Sequence, residues 1–260
     1  MPRIIVTTSA GVAAVRLNDP ASLNALSASV AAELERVLAD LSEDSSIRAL
    51  VLTGTGRAFC AGGDVQAFYD NRDDPAETMQ ATIDGLHGAV DRLLEAPFPT
   101  ISAINGVVAG AGMGIALATD LAVAAESAVF TMAYTGIGAS PDGSSTFFLP
   151  RLVGTRVAME MILTNRRIDS HEALELGLVN RVVPDDELEN ETGALASRLA
   201  VGPTLAYVRS RELIRSSLRF DPVEQMEAEA TGIMAAGETA DFYEGITAFI
   251  EKRPPTFTGE

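Results

Sequence analysis

A strand, a turn and a helix recur in this order along the first half of the chain, and this repetition constrains the fold more than any other feature. Apolar runs typical of buried strands occupy residues 48–53, 100–104 and 121–125. Helical patterns follow two of these runs, from about residue 77 to 94 and from 110 to 118. Strand and helix units in alternation predict a layered α/β core.

The N-terminal part adds a hairpin and a helix to this core. Residues 4–8 and 12–17 are short apolar runs separated by Ser9-Ala10-Gly11, which predicts two antiparallel strands joined by a tight turn. Ser27 can accept a hydrogen bond at the start of a helix over residues 28–41, whose apolar residues fall at helical spacing.

The C-terminal part has a different pattern. Beyond about residue 197 only helical patterns occur, most clearly at 204–217 and 223–236. Helices with apolar faces and no sheet to cover are expected to pack on the core or on another subunit. We therefore divide the chain into a core, residues 1–197, and a helical segment, residues 198–260.

Net charge, cysteine content and hydropathy argue against several classes of protein. The net charge of −17 at pH 7 disfavours attraction to nucleic acid or to an anionic membrane surface. The single cysteine, Cys60, cannot form an intrachain disulfide, which favours a reducing, cytoplasmic location. The first residues lack the features of a signal peptide, and Asn105 and Asp120 interrupt the most apolar stretch, so no membrane partner is expected.

Two loops place small residues where a predicted strand gives way to a helix. They are Phe59-Cys60-Ala61-Gly62-Gly63-Asp64 and Gly110-Ala111-Gly112-Met113-Gly114. Small residues let a ligand approach the backbone, and the start of a helix offers unpaired N–H groups. Close packing of a helix on a strand is the favoured explanation of either loop when it is taken alone.

Together with their neighbours, these loops resemble the signatures of the enoyl-CoA hydratase/isomerase (crotonase) family. The similarity extends over essentially the whole chain. The segments that carry it, in order, are 18–26, 53–64, 99–120, 149–154, 172–179 and 251–255.

The resemblance implies a crotonase-like spiral of ββα units that binds an acyl-CoA thioester. It also implies a C-terminal helical oligomerisation segment that forms a homotrimer or a hexamer. Coenzyme A is then part of the substrate, and no separate cofactor is expected. The two histidines and one cysteine show no spacing typical of a metal site.

The resemblance also assigns roles to the two loops. The backbone N–H groups of Gly63 and Ala111 match the pair that binds the thioester carbonyl in the family, where fixed donors stabilise developing negative charge. The first loop, with Ala61, Gly62 and Asp64, is expected to lie along the coenzyme A nucleotide. Two cations, Arg57 and Lys252, are candidates for phosphate contacts, although both positions also suit solvated surface residues.

Hydratases of this family use two glutamates to position and activate water, and this chain lacks both. Motif matching places Gly114 at the first position and Tyr134 at the second. Neither residue can act as a carboxylate base. The two-glutamate hydration reaction is therefore not expected.

Asp142 supplies a carboxylate in the same region, within Pro141-Asp142-Gly143. This sequence is common in turns, which gives Asp142 an alternative, structural explanation. Its position resembles that of an acidic catalytic residue in dienoyl-CoA and epoxyphenylacetyl-CoA isomerases. An aspartate beside an oxyanion hole suits a proton shuttle, so isomerisation of an enoyl-CoA double bond is the leading prediction.

Two other functions remain open at this stage. The same position is a nucleophile in aryl-CoA dehalogenases, which pair it with a tryptophan and a histidine. Tyr134 stands where the tryptophan would be, and His87 lies on the helix before Pro97 in a segment that shapes the acyl pocket. The third alternative is a protein that binds acyl-CoA without catalysis.

Overall fold

The computed structural model describes residues 2–260, so the first residue of the predicted core segment lies outside the described residues. Two sheets organise the chain. Their strands are β1 (Ile4–Ser9), β2 (Val12–Leu17), β3 (Ala49–Gly54), β4 (Ala58–Cys60), β5 (Thr100–Ile104), β6 (Val107–Ala109), β7 (Leu121–Ala125), β8 (Val129–Thr131), β9 (Ile168–Asp169) and β10 (Arg181–Val183).

Helices follow or cover these strands. They are α1 (Ala28–Glu43), α2 (Val65–Asp70), α3 (Pro75–Glu95), α4 (Ala111–Ala118), α5 (Ser145–Thr164), α6 (Ser170–Glu175), α7 (Leu188–Ala200), α8 (Thr204–Ser216), α9 (Pro222–Ala236) and α10 (Ala240–Glu251). Helix α5 is broken at Gly154, whose φ of 78° is non-helical.

Most of the elements expected from the sequence are confirmed. The hairpin of β1 and β2 is antiparallel with Ile4 opposite Leu17, and the hydroxyl of Ser27 accepts a hydrogen bond from the Val30 amide at the start of α1. Helix α3 and strands β3, β5 and β7 also lie where the patterns predict. The predicted boundary at residue 197 falls inside α7, and the division into two segments stays a prediction.

The sheets show how the strand units are repeated. The larger sheet has the order β1-β2-β3-β5-β7-β10 and the smaller one β4-β6-β8-β9. Each of the pairs β3 and β4, β5 and β6, and β7 and β8 therefore contributes its first strand to the larger sheet and its second strand to the smaller one. The strands of successive units pair in parallel within each sheet: β3 pairs with β5 and β5 with β7, while β4 pairs with β6 and β6 with β8. This is the spiral of ββα units that the family resemblance implies.

The larger sheet is covered on both faces, which explains its nearly continuous apolar strands. In β3, Leu50 and Leu52 belong to the main core, whereas Val51 packs in a second cluster with Leu188 and Leu195 of α7. Burial of one such side chain stabilises the fold by about 1.5–3 kcal/mol. The two clusters thus hold β3 in place from both faces of the sheet.

The close packing of α4 on β4 can be tested at Gly112. A Cβ at Gly112 would lie 2.3 Å from the carbonyl oxygen of Cys60, whereas a Cβ at Gly193 in α7 would meet no atom within 4 Å. We expect Gly112→Ala to lower the free energy of unfolding by about 1–3 kcal/mol through overpacking. The control Gly193→Ala should raise it by about 0.5–1 kcal/mol. Urea denaturation measures both, and equal effects would contradict the packing described.

Candidate active site

The candidate site lies beyond the carboxyl ends of β4, β6 and β8. These three strands are parallel neighbours, so the loops that follow them meet at one edge of the smaller sheet. The loop after β4 holds residues 61–64, the loop after β6 leads into α4 at Ala111, and the segment after β8 contains Tyr134 and Asp142. The topology thus brings together three segments that are far apart in the sequence.

The first two loops are in close contact because both carry glycine at the point of approach. A Cβ at Gly62 would lie 3.1 Å from the carbonyl oxygen of Ala109 and 3.5 Å from the Cα of Gly110. Both glycines also have positive φ, 106° and 51°, which other residues adopt with strain. The close contact therefore depends on glycine at both positions.

The predicted backbone donors lie on these two loops. The neighbours of Gly63 are held by Leu26, which donates to the Gly62 carbonyl at 2.8 Å and accepts from the Asp64 amide at 3.0 Å. Within residues 2–260, the N–H groups of Gly63 and Ala111 have no protein acceptor. Ala111 is the first residue of α4, where an N–H group has no partner in its own helix. Both donors are thus available to an oxygen of a ligand.

Two asparagines, Asn24 and Asn105, hold the start of β4. Asn24 donates to the carbonyl oxygens of Ala58 at 2.7 Å and Thr55 at 3.0 Å, and Asn105 also donates to Ala58 at 3.0 Å. The Asn105 side chain in turn accepts from the Gly54 amide. Both asparagines lie in segments that resemble family motifs, but the sequence alone assigned them no role. They support the loop that carries Gly63.

Asp142 and His87 are in direct contact, although 55 residues separate them in the sequence. His87 Nε2 lies 2.6 Å from Asp142 Oδ1, and the two side chains are 52% and 31% exposed, respectively. Packing of the Asp142 segment on α3 explains this contact, because a Cβ at Gly143 would lie 3.0 Å from the side chain of Leu86. The sequence left the role of His87 open, and the structure places it at the carboxylate.

The backbone around Asp142 is a turn, as its sequence indicates. Its carbonyl oxygen accepts from the hydroxyl of Ser145 and, at 3.5 Å, from the hydroxyl of Tyr134. Gly143 and Ser144 both have positive φ, 60° and 63°. The turn and the contact with His87 coexist, because the turn uses backbone atoms and leaves the carboxylate for His87.

Neither of the two positions that carry glutamates in hydratases has a carboxylate in this chain. The first of them, residue 114, also has no room for a side chain. A Cβ at Gly114 would lie 2.3 Å from the carbonyl oxygen of Gly143, so any side chain there would displace the Asp142 turn. Burial, and then the charge of Asp142, raise the pKa of Tyr134 above its ordinary value. The phenol therefore stays protonated and acts as a hydrogen-bond donor near neutral pH.

The predicted coenzyme A contacts lie on the first loop and at exposed positions. The carboxylate of Asp64 accepts from the Ala67 amide at 3.0 Å and so caps α2, while its backbone remains on the loop beside Ala61. Arg57 and Lys252 are exposed, and among the described residues neither forms an ion pair with a protein carboxylate. Lys252 ends α10 and lies outside the cluster of loops.

Other kinds of site are not found in the described part of the chain. In residues 2–260, His, Cys, Asp and Glu side chains form no group of three or more suited to hold a metal ion. Over the same residues, each helix is too short or too polar to cross a bilayer.

Comparison with known proteins identifies the family. The sequence model of the enoyl-CoA hydratase/isomerase family matches residues 7–260. The chain belongs to this family, as its motifs indicated. An enoyl-CoA hydratase from Bacillus anthracis has the same fold, with a TM-score of 0.93, 33% sequence identity and full coverage of both chains.

Related sequences carry several different names. A Rhodobacter capsulatus protein named as a probable enoyl-CoA hydratase is 40% identical over 96% of both chains. The 1,2-epoxyphenylacetyl-CoA isomerase of Escherichia coli is 36% identical over 100% of both. The 4-chlorobenzoyl coenzyme A dehalogenase-2 of an Arthrobacter species is 36% identical over 96% of this chain and 91% of that protein. Sequence similarity therefore shows the family but does not distinguish among these reactions.

Cys60, buried below the first loop, allows a test of the site's packing. Burial raises the pKa of its thiol from 9.0 to about 12, so the unfolded chain releases this proton at lower pH than the folded one. The free energy of unfolding should therefore fall by about 1 kcal/mol between pH 9 and 10 from this group alone. Denaturation of wild type and Cys60→Ala at both pH values measures the effect. The variant should lack this part of the decrease, and an identical pH dependence would contradict the burial.

Proposed function

We propose that this protein is an acyl-CoA enzyme that moves the double bond of an enoyl-CoA, with Asp142 as the base. The observation that carries this proposal is the placement of the Asp142 carboxylate, held by His87 at 2.6 Å in the loop cluster that also presents the amides of Gly63 and Ala111. The lack of a carboxylate at residues 114 and 134 argues against the two-glutamate hydration reaction.

The first step is removal of a proton from the acyl chain. The thioester oxygen accepts hydrogen bonds from the amides of Gly63 and Ala111, which stabilise the negative charge of the enolate. This stabilisation makes the neighbouring carbon–hydrogen bonds more acidic. One Asp142 oxygen takes the proton, while His87, as the Nε2–H tautomer, donates to the other oxygen and fixes the carboxylate.

The second step returns the same proton. The electron pair of the enolate shifts along the conjugated chain, and Asp142 delivers the proton to the carbon at the other end. The carboxylate and the oxyanion hole are then restored, so no external oxidant, reductant or cofactor is needed. A base that can reach both carbons is required, and a short aspartate on a turn above the acyl chain suits this task.

The coenzyme A part is proposed to lie along the first loop. The backbone of Ala61, Gly62 and Asp64 would contact the nucleotide, and the cation of Arg57 would contact its phosphates. Lys252, which lies outside the cluster of loops, would reach the phosphates at the site of a neighbouring subunit. Local cations are needed here because the net charge of −17 repels an anionic ligand at long range. Tyr134 and His87 would line the acyl side of the site.

The contact between Asp142 and His87 also favours a second candidate function, nucleophilic dehalogenation of an aryl-CoA. Asp142 would displace halide from the ring to form an aryl ester, and His87 would then remove a proton from the water that hydrolyses it. Tyr134 replaces the tryptophan expected from such enzymes, which makes this the second choice. A non-catalytic binding protein is the third.

Substitution of Asp142 separates the candidate functions. Asp142→Asn should keep the fold and the affinity for an enoyl-CoA, because the amide is nearly isosteric, but lower turnover by about 10² to 10⁴-fold, since the amide cannot accept the proton. Isomerisation of 3-hexenoyl-CoA, followed by mass spectrometry and by absorbance of the conjugated product, is the assay. If Asp142 is a nucleophile, wild type should instead accumulate a covalent ester with 4-chlorobenzoyl-CoA.

Asp185→Asn is the matched control, because Asp185 also follows a proline and its carboxylate accepts from a backbone amide, that of Ser127. It lies in the turn between β10 and α7, and its substitution should leave turnover unchanged. Activity that is indifferent to Asp142→Asn would refute the mechanism. Failure of the wild type to bind any acyl-CoA in calorimetry would refute the substrate class.

We also propose that the protein assembles as a homotrimer or hexamer. The last two helices expose large apolar side chains in the single chain, including Met234 at 74%, Phe249 at 81% and Ile250 at 77%. Such exposure over two adjacent helices indicates a covered surface. Light scattering at micromolar concentration should give three or six times the chain mass, and a monomer would contradict the proposal.

A further inference from the structure

Helix α4 connects the oxyanion hole to the C-terminal helical segment. All eight of its residues are buried and none has a polar side chain, so its ends can be held only by groups outside the helix. Its first amide, that of Ala111, lies at the candidate site. At its other end, the carbonyl oxygen of Ala118 accepts a hydrogen bond from Arg215 Nη2 at 3.1 Å. Arg215 belongs to α8, outside the spiral.

Arg215 holds more than one element at this point. Its Nη1 donates to the carbonyl oxygen of Leu94 in α3 at 2.7 Å, and its Nη2 lies 3.1 Å from Asp120 Oδ1. Asp120 also pairs with Arg211 at 3.2 Å and accepts from the Thr100 amide at 2.9 Å. Arg211 therefore keeps Asp120 paired if Arg215 is replaced, which allows Arg215 to be tested without leaving a buried charge alone.

The charge of Arg215 at the C-terminal end of α4 favours a fixed position of this helix. Burial lowers the pKa of Arg215, Asp120 counteracts this effect, and Arg211 adds to it, but a guanidinium stays charged near neutral pH. A cation at the C-terminal end of a helix interacts favourably with the helix dipole, whose positive end is here at Ala111. Eight residues span about 12 Å, so a shift of one end of this short, buried helix moves the other.

We propose that Arg215 is a positioning residue for the oxyanion hole, which holds α4 at Ala118 so that the Ala111 amide points at the thioester oxygen. This inference rests on the proposed function. The mechanism needs such a support because the donor must be in place before charge develops, and a misplacement of about 1 Å in a reacting group can lower the rate about 10²-fold.

The alternative is that Arg215 only attaches α8 to the core. Arg209 is the matched control: it lies on the same helix and donates to a backbone carbonyl, that of Gly232 in α9, without touching α4. Arg215→Met and Arg209→Met should both be tested for thermal unfolding. Each substitution removes a hydrogen bond to another helix, so both variants are expected to lose stability. Lower stability alone therefore does not identify a positioning role.

The readout that separates the two roles is the polarisation of a bound thioester. Crotonyl-CoA labelled with ¹³C at the thioester carbon serves as probe, and isotope-edited infrared spectroscopy measures the carbonyl band. Binding to wild type should lower its frequency. The shift should be smaller in Arg215→Met, with kcat of the isomerisation lower by about 10- to 100-fold and KM nearly unchanged. Arg215→Lys should restore part of the shift, and Arg209→Met should match wild type.

The possible outcomes distinguish this inference from the proposed function. If wild type does not bind the probe, or binds it without a band shift, the proposed oxyanion hole fails. If wild type shows the shift and Arg215→Met shows the same shift and kcat, the positioning role is refuted while the proposed function stands. If Arg215→Met does not fold, the same comparison is made with Arg215→Lys, whose shift must lie below that of wild type.

Discussion

The site depends on the parallel pairing of three short strands, β4, β6 and β8. Each has only three residues, yet their pairing brings the loops that follow them to one edge of the smaller sheet. The contact between Gly62 and Gly110 then sets the spacing of the loops that carry the two backbone donors. A side chain at either glycine would separate the loops, so the geometry of the donors is fixed by residues that carry no functional group.

Close packing also determines which carboxylate the site can carry. The turn of Asp142 lies against α4 at Gly114 and against α3 at Leu86, and it thereby occupies the volume that a side chain at residue 114 would need. A carboxylate on α4 and the Asp142 turn exclude one another in this arrangement. The chain thus has a carboxylate on the turn and a histidine on α3 instead of a carboxylate on the helix. If Asp142 is the base as proposed, this changes the direction from which a proton is removed.

The sequence predicted five of the six strands of the larger sheet, the helices α1, α3, α4, α8 and α9, and the two loops, because apolar runs, helical spacing and glycine-rich segments are local signals. It did not predict the smaller sheet, since strands as short as Ala58–Cys60 lack a measurable period. The contact between His87 and Asp142 was left open for a different reason, because it depends on how α3 packs on a turn 55 residues away.

The residues that support the site could also not be predicted from the sequence. Asn24 and Asn105 read as parts of motifs, and only the structure shows that both donate to the carbonyl oxygen of Ala58. Arg215 carried no sequence signal, because an arginine on a helix is typical of a solvated face. Residues of this kind are recognised by the backbone groups they bind, which no local pattern reveals.

If Asp142 removes a proton from the acyl chain as proposed, the exposure of His87 affects where that proton goes next. Its side chain is 52% exposed and touches the Asp142 carboxylate, so the acid–base pair is open to bulk water. A proton that rests on this pair can exchange with solvent before it returns to the acyl chain. The enzyme would then incorporate deuterium from heavy water into its product to an extent set by two competing rates, internal return and exchange through the imidazole. A fully enclosed carboxylate would instead conserve the label.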